Sequence, residues 1–381
     1  MPKLRLFTPG PTMVSPEAML AMAQPLDHHR TAGFREMLRQ CTELLSYVLQ
    51  TRTSPIVVTG SGTAAMEAAI LGCCRPDTKT LVCHAGKFGE RWRDLLARFK
   101  LPHVEYTLEY GHGFKAELID QQFKKHTDLK AVIFVHSETS TCAVSEAQGI
   151  AKVCRDRGAL CLVDGITSIG AIPFKMDEWG IDIAVTGSQK ALMLPPGLGI
   201  VAVSDRAWEV IESHQPPAYY NDLRTYRKGQ KTFDTPYTPN NQMVSGLLFT
   251  LNQIKEFGIE NIWAKTALLA RATRLAIHAL GLDLFATDPV DSVTGIKVPG
   301  GVDEARWRKD MRGRYGIHCA GGQGSMKGTM IRLNHMGYVD EVDTIGAIAA
   351  MEWTLAAQGF DFEPGAGMTA FSRTFQEEVP A

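Results

Sequence analysis

Six short runs between residues 56 and 203 are apolar almost from end to end. They are Ile56-Val57-Val58-Thr59, Thr80-Leu81-Val82-Cys83, Ala131-Val132-Ile133-Phe134-Val135, Leu160-Cys161-Leu162-Val163, Ile181-Asp182-Ile183-Ala184-Val185 and Gly199-Ile200-Val201-Ala202-Val203. A strand of this kind has no polar face to offer water. It is therefore buried on both sides, which is the habit of parallel sheets covered by helices. Amphipathic stretches at 63–73, 88–99 and 146–157 alternate with the runs. The alternation predicts βαβ units and an α/β fold around a mostly parallel sheet.

Beyond residue 203 the rhythm changes. Residues 212–242 carry prolines, tyrosines and basic residues and read as a long surface excursion. One long helical stretch is expected from Val244 to about Leu280. A strand-like Ser292–Val298, a charged helix Asp303–Tyr315, a strand Thr329–Leu333 and a helix near Val339–Gln358 follow. A chain of 381 residues exceeds what one hydrophobic core usually holds. The expected division is a large domain over 1–255 and a smaller C-terminal α+β domain over 256–381. A formal net charge of -1 offers little to a nucleic acid or an anionic membrane. No run is long enough to span a bilayer, and residues 1–10 hold no apolar signal core, so a cytoplasmic location is expected. The eight cysteines lie mostly in apolar segments and form no C-x-x-C pair. Buried free thiols are expected, with no disulfide framework and no metal site.

Four features fall at the ends of the apolar runs, where ligands bind in open α/β sheets. Gly60-Ser61-Gly62-Thr63 joins a strand to a helix. Its glycines allow close backbone approach, and a helix N-terminus suits a phosphate. The same residues can equally form a plain turn with a capping hydroxyl. They also match the start of a dinucleotide fingerprint, which requires an acid at the end of the next strand. That strand ends in Cys83-His84-Ala85, so the nucleotide reading weakens. Asp164 closes an apolar strand, where it either caps a turn or meets a cation such as the pyridinium nitrogen of pyridoxal phosphate. Lys190, in Thr186-Gly187-Ser188-Gln189-Lys190-Ala191, follows the next strand. A lysine there is either a solvated charge or an amine able to form a Schiff base and later carry a proton. Arg332 lies inside the strand-like Met330-Ile331-Arg332-Leu333 and wants a carboxylate, from within the protein or from an amino-acid substrate.

Together these residues resemble the class V aminotransferases of fold type I, in particular the alanine–glyoxylate and serine–pyruvate branch, over nearly the whole chain. Such a fold implies a seven-stranded, mostly parallel sheet between helices. Ser188-Gln189-Lys190-Ala191 with Pro195-Pro196-Gly197 is similar to the family's Schiff-base motif, with Gln189 near the phosphate. Ser61, Gly62 and Thr63 resemble its phosphate cup. Phe88 falls where the family stacks an aromatic on the cofactor, and Ile166 would lie against the ring. Thr139 in Ser137-Glu138-Thr139-Ser140-Thr141 matches the hydroxyl that reaches the ring oxygen. Asp164 matches the partner of the pyridine nitrogen. Pro9 and Gly10, in Thr8-Pro9-Gly10-Pro11-Thr12, look like the substrate-site loop, and Arg332 matches the reader of the substrate carboxylate. In Thr235-Pro236-Tyr237-Thr238-Pro239, Thr238 matches a threonine that reaches the phosphate of the neighbouring subunit; Thr235 is counted with it among the cofactor-binding residues.

The resemblance implies pyridoxal 5'-phosphate as cofactor and a homodimer with shared sites. It implies a ping-pong reaction from a small L-amino acid, alanine or serine favoured, to glyoxylate or pyruvate. Three departures bear on substrate choice: Cys142, Asn240-Asn241-Gln242 and Asn334. His28-His29-Arg30 either lines the entrance or forms a solvated loop. Rival readings are an aspartate or aminophosphonate transaminase, a lyase or desulfurase needing a reactive thiol (Cys142 or Cys319), a nicotinamide oxidoreductase, and a non-catalytic accessory protein on the same scaffold.

Overall fold

The computed structural model describes residues 2–25 and 27–378. In chain order its strands are β1 (Arg5–Phe7), β2 (Ile56–Thr59), β3 (Lys79–His84), β4 (His103–Thr107), β5 (Leu129–Val135), β6 (Ser137–Glu138) and β7 (Ala143–Val144). There follow β8 (Leu160–Asp164), β9 (Ile183–Gly187), β10 (Leu198–Val203), β11 (Val293–Lys297), β12 (Ile317–Gly321) and β13 (Met330–Asn334). Seven of them form the main sheet, in the order β2-β10-β9-β8-β5-β3-β4. Only β10 runs against its neighbours.

The sheet is buried on both sides, as its continuous apolar runs require. Along β5, Val132 and Phe134 face one core while Ala131, Ile133 and Val135 face another. Strand β8 alternates likewise, Cys161 and Val163 against Leu160 and Leu162. Helices 32–49, 147–156 and 241–257 cover the first face, and helices 62–73, 87–98 and 205–212 the second. Each fully buried Val, Leu or Ile contributes about 1.5–3 kcal/mol, so the two layers dominate the stability of this half. The parallel strands all release their chains at one edge, where β2, β3, β5, β8 and β9 end.

A four-stranded sheet, order β1-β12-β13-β11, holds the rest of the core. Its first strand comes from the N-terminus: Arg5 pairs with Ile317 and Phe7 with Cys319, in parallel. The expected single helix from Val244 to Leu280 is in fact two, Asn241–Phe257 and Ile259–Ala279. Gly258 separates them at φ +88°, a conformation glycine adopts without a steric penalty. The excursion at 212–242 contains a short helix, Leu223–Gln230. Strands β1, β4, β6, β7 and β12 and the helices Pro16–Met22, Ala32–Leu49, Ala116–Lys125, Asp205–Glu212 and Ala366–Glu378 have no counterpart in the sequence reading. Among the described residues no helix is long and apolar enough to cross a membrane.

At the opposite edge of the main sheet, Asp182 ties three strands together. Its carboxylate accepts from the Cys161 amide at 2.9 Å, from the Ser204 hydroxyl at 2.9 Å and from Arg206 at 3.2 Å. Replacing it leaves a buried amide without an acceptor. Asp182→Ala should therefore cost about 2–3 kcal/mol in urea unfolding; a cost below about 0.5 kcal/mol would show that water replaces the carboxylate.

Candidate active site

Strand β8 ends in Asp164, which is 2 % exposed. Its Oδ1 accepts from the Ile166 amide at 3.0 Å and its Oδ2 from the Trp92 indole N–H at 2.9 Å. Burial pushes its pKa up; the two donors and the charges of Arg91 and Lys190 pull it back. The carboxylate is thus held in place from two directions, with its charge only partly compensated.

Lys190 follows β9 in a turn closed by Ser188, whose hydroxyl donates to the Pro195 carbonyl at 2.7 Å and accepts from Leu198 N at 3.1 Å. Its Nζ is buried and donates to the Pro9 carbonyl at 2.7 Å. Thr12 clamps the same turn, its amide on Gln189 O at 3.1 Å and its hydroxyl on Lys190 O at 2.9 Å. Burial lowers the Lys190 pKa to about 8; Asp164 opposes the drop, and Arg332 and Arg91 add to it. Gly10 has to be glycine. Its φ is +138°, and a Cβ there would stand 1.9 Å from Lys190 Nζ.

The helix Gly62–Cys73 starts beside this pair. Its cap residue, Ser61, makes no side-chain hydrogen bond, leaving the first amides open. The Gly62 backbone packs against Ile166, whose Cδ1 would be 2.7 Å from an added Cβ. A Cβ on Gly187 would meet Gln189 Oε1 at 2.9 Å and Gly62 N at 3.4 Å, so Gln189 sits at the helix start. That oxygen is buried with no partner among the described residues. The Thr63 hydroxyl accepts from Arg91 at 3.1 Å. The Phe88 ring lies 5.9 Å from Lys190 Nζ and 5.1 Å from the Arg91 guanidinium carbon.

Arg332, in the middle of β13, is 4 % exposed. Its Nε and Nη2 donate to Gly321 O at 3.1 and 2.7 Å, and its Nη1 to Thr139 O at 2.9 Å. One N–H then remains on each terminal nitrogen, a fork suited to a carboxylate. Thr139 is buried, its hydroxyl 2.8 Å from that of Thr167.

Lys190, Asp164, Pro9, Gly10, Ser61, Gly62, Thr63, Phe88, Ile166, Gln189, Thr139 and Arg332 thus belong to one connected neighbourhood. Among the described residues no hydrogen bond or ion pair joins Thr235 or Thr238 to it. Thr235 is buried and its hydroxyl has no partner among the described residues; Thr238 is exposed. Arg30 reaches this second region instead, pairing with Asp234 and donating to Thr235 O at 2.6 Å. The rings of His28 and His29 lie against each other, tilted by 32°, with centroids 4.3 Å apart.

The three departures have local structural partners. The Cys142 thiol donates to Thr139 O at 3.8 Å. Asn334 bonds both polar groups of Met336, its Nδ2 donating at 2.7 Å and its Oδ1 accepting at 3.2 Å. Asn240 caps the helix Asn241–Phe257. Burial pushes the thiols of Cys142 and Cys319 up to about 12, so neither is a thiolate at neutral pH. Neither offers the ready thiolate that the desulfurase reading needs. Sequence reasoning missed Trp92 and Arg91, although they follow Phe88 at helical spacing on one amphipathic face.

A parallel-sheet fold with a buried lysine and a buried carboxylate on adjacent strand ends defines a pyridoxal-phosphate enzyme. The chain belongs to the class V aminotransferases: the family model Aminotransferase class-V matches residues 6–340. It is 38% identical over 379 residues to the soluble hydrogenase 42 kDa subunit of Anabaena cylindrica, covering 98% of this chain and 99% of that one. It is 35% identical over 385 residues to the serine–glyoxylate aminotransferase of Methylorubrum extorquens, covering 98% and 96%. The crystal structure of ureidoglycine–glyoxylate aminotransferase from Bacillus subtilis superposes with TM-score 0.93 at 27% identity, covering 99% of each chain. The residues present fit the family's cofactor. An amine of lowered pKa, a buried carboxylate and an uncapped helix start match its aldehyde, ring nitrogen and phosphate, with Gln189 beside that helix start.

The buried amine leaves a mark on stability without cofactor. Between pH 8 and 10.5 the folded protein binds fewer protons at Lys190 than the unfolded chain, so its stability rises with pH across that window. The gap between 10.5 and about 8 corresponds to roughly 3 kcal/mol. In urea unfolding of the cofactor-free protein, Lys190→Met should exceed wild type near neutral pH, and the excess should shrink as pH passes through this window. An excess independent of pH would show that the amine is not the group responsible.

Proposed function

We propose that the protein transfers the amino group of a small L-amino acid, alanine or serine, to glyoxylate or pyruvate by a ping-pong route. The observation that carries this reading is the joining of Lys190 and Arg332 through one buried cluster. The first is an amine that can lose its proton near neutral pH; the second is a fork with two unused N–H groups.

Pyridoxal phosphate, when bound, supplies a ring that accepts the electron pair released at the substrate α-carbon. Lys190 Nζ would hold the cofactor at its aldehyde and, when not so engaged, would take the substrate α-proton and return it. Asp164 would hold the proton on the ring nitrogen. The start of the helix Gly62–Cys73 and Gln189 would receive the phosphate, with Ser61 and Thr63 adding hydroxyls. Phe88 and Ile166 would give the ring apolar surfaces, and Thr139 would face its oxygen. Arg332 would read the substrate carboxylate, while Pro9 and Gly10 crowd the space above Lys190. Such crowding favours small donors. Glyoxylate, named in the activities of two relatives, is the favoured acceptor.

A homodimer fits the same reading. Thr238 is exposed, and Tyr219, packed on the neighbouring Tyr237, is 82 % exposed. Thr238, with Thr235 behind it, would complete the phosphate site of the second copy. A purified protein that is active and strictly monomeric in sedimentation would contradict this. The division into residues 1–255 and 256–381 accords with the helix break at Gly258. A cytoplasmic location accords with eight free, buried cysteines.

The test is spectroscopic. Wild type incubated with pyridoxal phosphate should gain a visible band. L-Alanine or L-serine should replace that band with a near-ultraviolet one, and glyoxylate should restore it. Lys190→Ala should lack the wild-type band. A band unmoved by any small amino acid would refute the donor assignment, and an accessory role like that of a hydrogenase subunit would come forward. Arg332→Gln should keep the band and raise KM for the donor by about 10- to 100-fold, the worth of one charge-assisted hydrogen-bond pair; an unchanged KM would remove Arg332 from the substrate site.

A further inference from the structure

The helix Lys87–Arg98 carries three side chains that look into the cluster. Phe88 stands by Lys190, Arg91 bonds Thr63, and Trp92 bonds Asp164. Their spacing puts them on one helix face, so they move together if the start of the helix moves. That start has an unusual cap. The cap residue is Gly86, which has no side chain to satisfy the first amides. Their acceptors come from another element, the turn between β6 and β7.

Glu138, at the end of β6, is 4 % exposed. Its Oε2 accepts from Phe88 N at 3.2 Å and Gly89 N at 3.0 Å, and its Oε1 accepts from the Ser140 hydroxyl at 2.5 Å and amide at 3.1 Å. The Ser140 hydroxyl in turn accepts from Lys87 N at 2.8 Å. All three amides of the first helical positions are thereby used. Gly86 leaves the room for this: a Cβ there would lie 2.5 Å from the Glu138 carboxyl carbon and 2.5 Å from Ser140 Oγ. The positive end of the helix also favours a carboxylate. No role assigned above to the cofactor or the substrate uses Glu138.

We propose that Glu138 is a positioning residue. Its carboxylate, with the Ser140 hydroxyl, caps the helix Lys87–Arg98 from outside and thereby holds Phe88 and Trp92 in register with Lys190 and Asp164. The proposal rests on the reading of this site as a pyridoxal-phosphate site. Glu138 acts through the helix, chiefly at Phe88, not on the reacting atoms. A side chain that merely stabilised the fold would lower the melting temperature without altering how the bound ring is held.

Glu138→Gln keeps the shape but turns one acceptor oxygen into a donor facing the helix amides. The experiment is a double-substitution cycle with Phe88→Leu, read by the dissociation constant for pyridoxal phosphate and by circular dichroism in its visible band. Glu138→Gln should weaken binding by at least about tenfold, the worth of a hydrogen bond to a charged group, and change the sign or size of the dichroic band. In the Phe88→Leu background the same substitution should cost less than about threefold, because interacting residues are not additive. Equal binding and an unchanged band in Glu138→Gln, or effects that simply multiply, would overturn the proposal. If Glu138→Gln does not fold, Ser140→Ala carried through the same cycle decides by the same criteria. A wild type that takes up no pyridoxal phosphate would overturn the underlying reading, and this proposal with it. A wild type that binds normally beside an unaffected variant would overturn the proposal alone.

Discussion

The hydrogen bond from Lys190 Nζ to the Pro9 carbonyl joins the two sheets at the point where the chemistry is expected. Pro9 follows β1, the first strand of the four-stranded sheet, while Lys190 follows β9 in the main sheet. Thr12 adds two more bonds between the same segments. A shift of one sheet against the other is therefore felt at Nζ. Gly10 makes the crossing feasible, since any side chain there would occupy the place of the amine. The N-terminal segment thus acts as a strap between two cores, its first strand paired in the far sheet.

Four charged groups are buried within this neighbourhood: Lys190, Arg332, Asp164 and Glu138. An uncompensated buried charge costs several kcal/mol, so partners decide which group yields. Glu138 receives four donated hydrogen bonds and Asp164 two. Arg332 gives three to two carbonyls and starts from so high a pKa that burial does not discharge it. Lys190 has one carbonyl acceptor, with two arginine charges depressing it and one carboxylate supporting it. It is the least compensated of the four. The proton is lost there, and the neutral amine that results is the form able to attack a carbonyl carbon.

The sheet was legible because doubly buried strands leave a continuous apolar signature, and β2, β3, β5, β8, β9 and β10 all carry it. Asp164, Lys190 and Arg332 stood out for a related reason: a charge at the end or centre of such a run demands an explanation. Much of what escaped depends on distant pairing, although the amphipathic helices Ala32–Leu49 and Ala116–Lys125 were locally visible and were also missed. Strand β1 has three residues and finds its partner more than three hundred positions away, so no local pattern announces it. Strand β4 lies at the sheet edge, half exposed, and lacks the apolar run. Gly258 lies inside the one helix expected over 244–280, and its positive φ ends a helix there. The Trp92–Asp164 bond and the Glu138 cap join residues separated by some fifty to seventy positions. The residue types were visible, but nothing in the sequence set them side by side.

The turn between β6 and β7 shows why those unseen contacts matter. On one side Glu138 and Ser140 hold the helix that carries Phe88 and Trp92. On the other, the Thr139 carbonyl holds Arg332. The Thr139 hydroxyl meets Thr167, which follows Asp164 by three residues and itself donates to the Ser137 carbonyl at 2.9 Å. The groups expected to grip a cofactor ring and the group expected to grip a substrate carboxylate thus hang on a few consecutive residues. That turn ties them together across the two sheets, although Arg332 is also held by Gly321 of its own sheet. Reactions of this kind depend on aligning one substrate bond with a ring, so a shared anchor of short span is a direct route to the alignment.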